Sequence, residues 1–163
     1  MQTIVSVLSR YRQLCASVLD KLRPLADLVA RLYIARVFLR SGLSKVQDWE
    51  ATLYLFREEY HVPLLPPELA AHLATAGELG LSVLLAVGLF TRFSAAGLFV
   101  LNAVAVISYY DALASSPAAL QDHMEWGIIL ALLFTVRAGF LSFDRLAAPW
   151  IARRFDRRGS EAA

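Results

Sequence analysis

The chain has 163 residues, 58% of them hydrophobic and 18% charged, with a net charge of +2. Its mean hydropathy of +0.52 and its long apolar runs exclude an ordinary soluble domain. The single cysteine, Cys15, excludes an intrachain disulfide, a C-x-x-C redox pair and a metal site made of cysteines alone. The first residues lack the charged start, apolar core and cleavage site of a secretory signal peptide, so we expect none.

Residues 1–23 are predicted to form an amphipathic interfacial helix. Ile4, Tyr11 and Val18 recur on one face at helical spacing, and Arg10 and Lys21 lie on the other. The segment is too polar to span a bilayer, and its basic face suits an anionic lipid surface. A helix packed on a soluble partner fits almost as well. We favour the membrane surface because a membrane segment follows directly.

The first predicted span opens at Pro24 and runs to about Val46. It carries Arg31, Arg36 and Arg40, which make it the weakest span by hydropathy. Arg31 lies near the inner end, where its side chain can reach the lipid headgroups. Arg36 is predicted to lie near mid-depth, and Arg40 one turn nearer the outside on the same face.

A connecting segment follows, with a short helix for which Asp48 is the predicted N-cap. Trp49, Leu53 and Phe56 form its apolar stripe, which suits the membrane interface. The second span, residues 69–93, holds Glu78 near its middle. A charge there costs roughly 2.5–3.5 kcal/mol on insertion scales, so it is expected to face protein or water and to have a partner.

The third span covers residues 93–110, with Asn102 midway, and the fourth covers residues 122–141, with His123 and Glu125 in its first turn. The expected fold is therefore an all-α membrane protein: a four-transmembrane-helix bundle with two interfacial helices. The transmembrane domain is assigned to residues 24–146, and residues 147–163 to a basic cytoplasmic tail.

Basic residues are distributed unequally between the connections. They cluster before the first span, at Arg92 and in the tail, whereas acidic residues dominate the other two connections. The positive-inside rule then predicts a multi-pass protein of the bacterial inner membrane with both termini in the cytoplasm.

Three stretches resemble one family. Residues 31–45 (RLYIARVFLRSGLSK) are similar to the first-helix signature of the DoxX family, and residues 76–80 (AGELG) with 85–92 (LAVGLFTR) to its second. Residues 137–144 (RAGFLSFD) resemble its closing motif, although Val136-Arg137-Ala138 replaces the usual Gly-Pro pair. The resemblance implies a small four-helix inner-membrane protein. The family includes subunits associated with quinone-linked sulfur oxidation and members linked to redox and metal stress, and it has no agreed catalytic residue to transfer.

Two sets of polar residues are candidates for a site. Counting depth at about 1.5 Å per residue places Arg36 and Glu78 near the midplane, where an Arg–carboxylate pair would neutralise both charges. The pair is either a structural ion pair that holds two helices together or a site that binds a quinone, an anion or a proton. An outer polar cluster comprises Arg40, His72, Asn102, His123 and Glu125. His72, His123 and Glu125 are weak metal candidates, because they lack the H-E-x-x-H spacing.

These features leave three hypotheses open. The first is an accessory or anchoring subunit of a quinone-linked redox system or of a redox/metal-stress system. The second is a small transporter or metal-homeostasis component with an outward-open polar cavity. The third is a non-catalytic membrane scaffold. The lack of mid-depth haem-type His pairs and of nucleotide motifs argues against a complete oxidoreductase. The expected partners are the lipid bilayer and other redox proteins, not nucleic acid, and a homo-oligomer is compatible with the sequence.

Overall fold

The computed structural model describes residues 2–135 and 142–144. The helices in chain order are α1 (Gln2–Gln47), α2 (Trp49–Glu58), α3 (Pro67–Val87), α4 (Thr91–Ser108), α5 (Tyr110–Ala114) and α6 (Pro117–Thr135). These residues contain no β-strand, so the all-α prediction is confirmed for this part of the chain. Two helices, α3 and α4, are long and apolar enough to cross a membrane. The predicted basic tail lies outside the described residues.

Four helices, α1, α3, α4 and α6, pack around one apolar core. Ile34 and Phe38 of α1, Leu85 of α3, Leu98 of α4 and Leu130 of α6 are all buried there. The outside of the bundle also carries many large apolar side chains. They include Leu32, Val83, Phe99, Val100, Ile107, Ile128 and Leu132. Such an apolar exterior around an apolar core is typical of a bundle surrounded by lipid.

The prediction that Pro24 begins a new helix is wrong, because α1 continues through it as one helix of 46 residues. Proline inside a helix removes one hydrogen bond and crowds the preceding turn, which kinks a helix but does not always end it. Residues on both sides of Pro24, such as Leu19, Leu22 and Leu25, favour the helix. The boundary proposed at residue 23 therefore falls within a continuous helix.

Arg31 is fully buried, which contradicts the prediction that its side chain reaches the lipid headgroups. Its Nε lies 3.0 Å from Oδ2 of Asp27, one turn earlier. Its Nη1 donates to the carbonyl oxygens of Leu85 and Ala86, each at 3.4 Å. These carbonyls belong to the last turn of α3, where the regular i+4 helical donors are missing and a positive charge is favourable. Arg31 therefore ties α1 to the end of α3.

The turn between α3 and α4 depends on Gly88. It has φ 75°, and its N–H donates to the carbonyl oxygens of Leu84 and Leu85 at 3.0 and 3.1 Å. A Cβ at this position would lie 2.5 Å from Nη1 of Arg31. Both the left-handed backbone and the close arginine therefore require glycine.

Asp144 caps the next helix from a distant part of the chain. No side chain of the local sequence caps α4. Instead, the backbone N–H groups of Phe90 and Thr91 donate to Oδ1 and Oδ2 of Asp144 at 2.7 and 2.8 Å. The backbone N–H of Asp144 in turn donates to the carbonyl oxygen of Gly88 at 3.0 Å. Asp144, the last residue of the closing motif, thus fastens the α3–α4 turn.

The predicted cap of α2 is confirmed: the N–H of Ala51 donates to Oδ1 of Asp48 at 3.0 Å. The predicted apolar stripe of this helix packs on the side of α3 rather than facing only the interface. Phe56 is buried against Ala70 and Ala71.

We expect Asp144→Ala to lower the free energy of unfolding by about 1–2 kcal/mol, because two N–H groups of α4 lose a charged acceptor. Asp122→Ala, which removes an exposed carboxylate of α6, is the matched control and should change the stability little. Denaturant unfolding of both variants in detergent measures the difference. Equal effects of the two substitutions would show that the Asp144 cap contributes nothing.

Candidate functional site

A cavity of about 220 Å³ lies between the ends of α1, α3, α4 and α6 that are remote from Gly88. Its polar lining consists of Ser41, Lys45, Glu78, Asn102 and His123, and its aromatic lining of Phe38, Tyr60, Tyr109 and Trp126. The combination of a few polar groups with aromatic walls is typical of small-molecule sites.

Glu78 forms an ion pair with Lys45 on one wall of the cavity. Nζ of Lys45 lies 3.0 and 2.8 Å from the two carboxylate oxygens and donates also to Oγ of Ser41 at 2.8 Å. Both charged side chains are largely shielded, with 17% and 12% of their surface exposed. The sequence correctly indicated that Glu78 needs a partner, but the partner in the structure is Lys45 and not Arg36.

Arg36 lies on the outside of α1, exposed, and makes no ion pair within residues 2–135 and 142–144. The reason is the position of α1 along its axis relative to α3. The residue of α1 that packs on Glu78 and Leu79 is Gly42. Arg36 precedes it by six residues, or about 9 Å along the axis. The predicted depths of Arg36 and Glu78 were counted from the predicted helix ends. This count assumes that both helices end at the same position along the bundle axis, and in the structure they do not.

Asn102 and His123, both predicted site residues, form the opposite wall. Oδ1 of Asn102 lies 2.8 Å from Nδ1 of His123, and its Nδ2 donates to the carbonyl oxygen of His123 at 2.9 Å. This pairing of side chain and backbone fixes the imidazole ring and leaves Nε2 unbonded within the described residues. The ring edge packs on Trp126, with ring centroids 4.8 Å apart.

Tyr60 and Tyr109 both line the cavity and pack on each other. Their rings stack with centroids 4.7 Å apart, and the hydroxyl of Tyr109 donates to Oε2 of Glu59 at 2.7 Å. Burial, with Tyr109 and Glu78 nearby, raises the pKa of Tyr60 to about 12. The hydrogen bond to Glu59 also raises the pKa of Tyr109. Both phenols are therefore neutral hydrogen-bond donors at neutral pH.

The remaining members of the predicted outer cluster lie elsewhere. Arg40 is exposed on α1, and Glu125 is exposed on α6, where it accepts a hydrogen bond from Nε2 of Gln121. His72 packs against Trp49, outside the cavity. Glu78, Asn102 and His123 are the predicted residues that the fold brings together around the cavity. Among the described residues no three His, Cys, Asp or Glu side chains gather as a metal site.

Sequence reasoning missed Lys45, Ser41 and the two tyrosines. Lys45 falls at the end of the predicted first span and was given no role there, although its spacing of four residues from Ser41 places both on one face of α1. Tyr60 reaches the cavity because the segment after α2 folds back, with the N–H of His61 donating to the carbonyl oxygen of Ser108 at 3.0 Å. No local sequence pattern predicts that contact.

The fold and the site define an all-helical membrane protein with a polar and aromatic cavity at one end of its bundle. The DoxX family model matches residues 26–111, more than half of the chain. The chain belongs to the DoxX family. It is also 34% identical to a Haemophilus influenzae protein named "Uncharacterized protein" over 128 residues, which cover 73% of this chain and 81% of that protein. No solved structure matches the chain.

Proposed function

We propose that this DoxX-family protein crosses the bacterial inner membrane four times, with both termini in the cytoplasm. The latter part of α1 and all of α6 pack around the same core as the two strongly apolar helices. Arg92 lies at the Gly88 end of the bundle, whereas Asp48, Glu58 and Glu59 lie at the cavity end. The positive-inside rule then places the cavity toward the outside.

Cysteine labelling of cells tests this orientation. In a Cys15→Ser background, Ser116→Cys between α5 and α6 should react with a membrane-impermeant maleimide added outside, and Ala16→Cys in α1 should react only after the membrane is opened. Both positions are exposed in the structure, so access to the thiol is matched. Labelling of the two positions from the same side would contradict the four-span topology.

We further propose that the cavity binds the headgroup of a quinone and that the chain is an accessory membrane subunit of a redox system. The observation that carries this proposal is the composition of the lining: aromatic rings together with two polar pairs, one on α1 and α3 and the other on α4 and α6. A quinone headgroup is a flat ring with carbonyl acceptors at opposite ends. The cavity is smaller than the roughly 300–1,000 Å³ that encloses a drug-sized ligand, so it suits a headgroup whose tail remains in lipid.

Different residues of the cavity would bind different parts of such a ring. Nδ1–H of His123 donates to Oδ1 of Asn102, so Nε2 of the neutral ring is an acceptor for a hydroxyl hydrogen of the reduced headgroup. The hydroxyl of Tyr60 is a donor for the ring oxygen at the other end, and Trp126 offers an aromatic wall. Asn102 fixes the imidazole through the contacts at Nδ1 and the backbone. Lys45 and Glu78 supply a shielded pair that can hold or release a proton at the ring.

A bound quinone would supply electron and proton carriage, which the described residues do not supply by themselves. The sequence has no C-x-x-C pair and no nucleotide motif. Electrons would therefore come from another protein, which is why an accessory role is favoured over a complete oxidoreductase.

Titration of the purified protein in nanodiscs with a short-tailed ubiquinone analogue, followed by tryptophan fluorescence, tests the site. We expect saturable quenching, and binding of the analogue in its reduced form weakened about ten-fold by His123→Leu, because a hydroxyl of the ring loses its acceptor. His72→Leu is the matched control, since His72 lies outside the cavity. Absence of saturation, or equal weakening of analogue binding by both substitutions, would contradict the quinone proposal.

A further inference from the structure

Two arginines lie on the outer surface of a helix that the proposed topology places in lipid. Arg36 and Arg40 of α1 are both exposed, one turn apart on the same face. Among the described residues, neither forms an ion pair. A charge on a membrane helix is costly where it meets lipid, so it normally faces protein or water and has a partner. This face of α1 therefore needs a partner that carries negative charge.

An exposed acid lies at the same level on the neighbouring helix. The rings of Phe38 and Trp126 pack edge to face with centroids 6.1 Å apart, and Nε1 of Trp126 donates to the hydroxyl of Tyr33 at 3.4 Å. Arg36 lies between Tyr33 and Phe38 along α1, and Glu125 directly precedes Trp126 in α6. Trp126 is the middle residue of α6, so these charges lie near the middle of that helix rather than at its ends.

Helical spacing places basic and acidic residues on the two sides of one groove. Arg36 and Arg40 follow Tyr33 by three and seven residues and share its face of α1. On α6, Asp122 lies one turn before Trp126 and three residues before Glu125, and both acids are exposed. Within the part of the chain that the structure describes, no ion pair joins the two sides, and Glu125 accepts only from Gln121. We call these residues the charged patch: Tyr33, Arg36, Arg40, Asp122 and Glu125.

We propose that the charged patch is the interface with a second copy of this chain, related by a twofold axis along the membrane normal. Such an axis leaves every residue at its own depth and sets α1 of one copy against α6 of the other. Arg36 of each copy then meets the partner's Glu125, and Arg40 lies one turn further along the same acidic face. The proposal rests on the four-span topology proposed above.

Lipid does not match the chemistry of the charged patch. Acyl chains would leave all of its charges without partners. A lipid phosphate would neutralise the arginines but would repel the two acids beside them. An occupant that suits both sides must present acids opposite the arginines and arginines opposite the acids, and a second copy in the same membrane does so. Tyr33, which is 46% exposed between the two sides, adds an aromatic contact near the axis.

Charge reversal tests the interface with two differently tagged copies of the full-length protein, co-expressed in one membrane. Wild-type copies should co-purify after mild solubilisation. Copies that both carry Arg36→Glu, or that both carry Glu125→Arg, should co-purify at least about ten-fold less, because like charges then meet at both contacts. An Arg36→Glu copy with a Glu125→Arg copy should recover the wild-type level, since each contact again joins opposite charges.

Lys21→Glu is the matched control, because it reverses an exposed charge of α1 outside the charged patch and should not rescue Glu125→Arg. Recovery in the mixed pair also shows that both variants fold. Absence of a wild-type dimer, or equal co-purification of all combinations, would overturn the proposal. Loss of co-purification without recovery in the mixed pair would point to a lipid phosphate or another protein as the occupant and would likewise overturn it.

The labelling of positions 16 and 116 reports the topology separately from the dimer. Failure of the charge-reversal experiment with the expected labelling would therefore refute the interface alone. Labelling of both positions from one side would instead refute the topology.

Discussion

The Lys45–Glu78 ion pair places a carboxylate inside a helix bundle at a tolerable cost. A charged group removed from water loses several kcal/mol of solvation, and this loss is offset only where a partner and hydrogen bonds meet it in good geometry. Lys45 contacts both carboxylate oxygens and also Ser41, so its ammonium group is fully used. The cavity, and any function that depends on it, forms around this pair.

The pair is one of two polar attachments that hold α1 in register with α3. At the opposite end, the buried guanidinium of Arg31 contacts the last carbonyls of α3. Between the two attachments, Ile34 and Phe38 meet Leu85 in the apolar core. Apolar packing alone tolerates small sliding of one helix on another. Two directed polar contacts about four turns apart prevent such sliding. They therefore explain how a bundle in lipid keeps one precise alignment of its helices.

The sequence was sufficient for features that depend on neighbouring residues. The cap at Asp48 and the apolar character of α3 and α4 follow from local pattern, and the structure has both. It also indicated that Glu78 needs a partner and that Asn102 and His123 belong to a polar site.

The failures concern positions that depend on how helices are placed relative to each other. Arg36 was paired with Glu78 because depth was counted from helix ends, whereas packing at Gly42 sets the true level. Pro24 was read as a helix start, because a proline at the first position and one in the interior look alike when a helix continues on both sides. Tyr60 enters the cavity through a loop contact that no periodicity predicts.

A thermal-stability double-mutant cycle in detergent tests the central pair most directly. Lys45→Met and Glu78→Gln should each destabilise strongly, and their effects should be non-additive by about 2 kcal/mol, because either change alone leaves a shielded charge without its partner. The same cycle for Arg36→Met with Glu78→Gln should be additive within about 0.5 kcal/mol. Additive effects at Lys45 and Glu78, or strong coupling of Glu78 to Arg36, would contradict the arrangement on which the cavity rests.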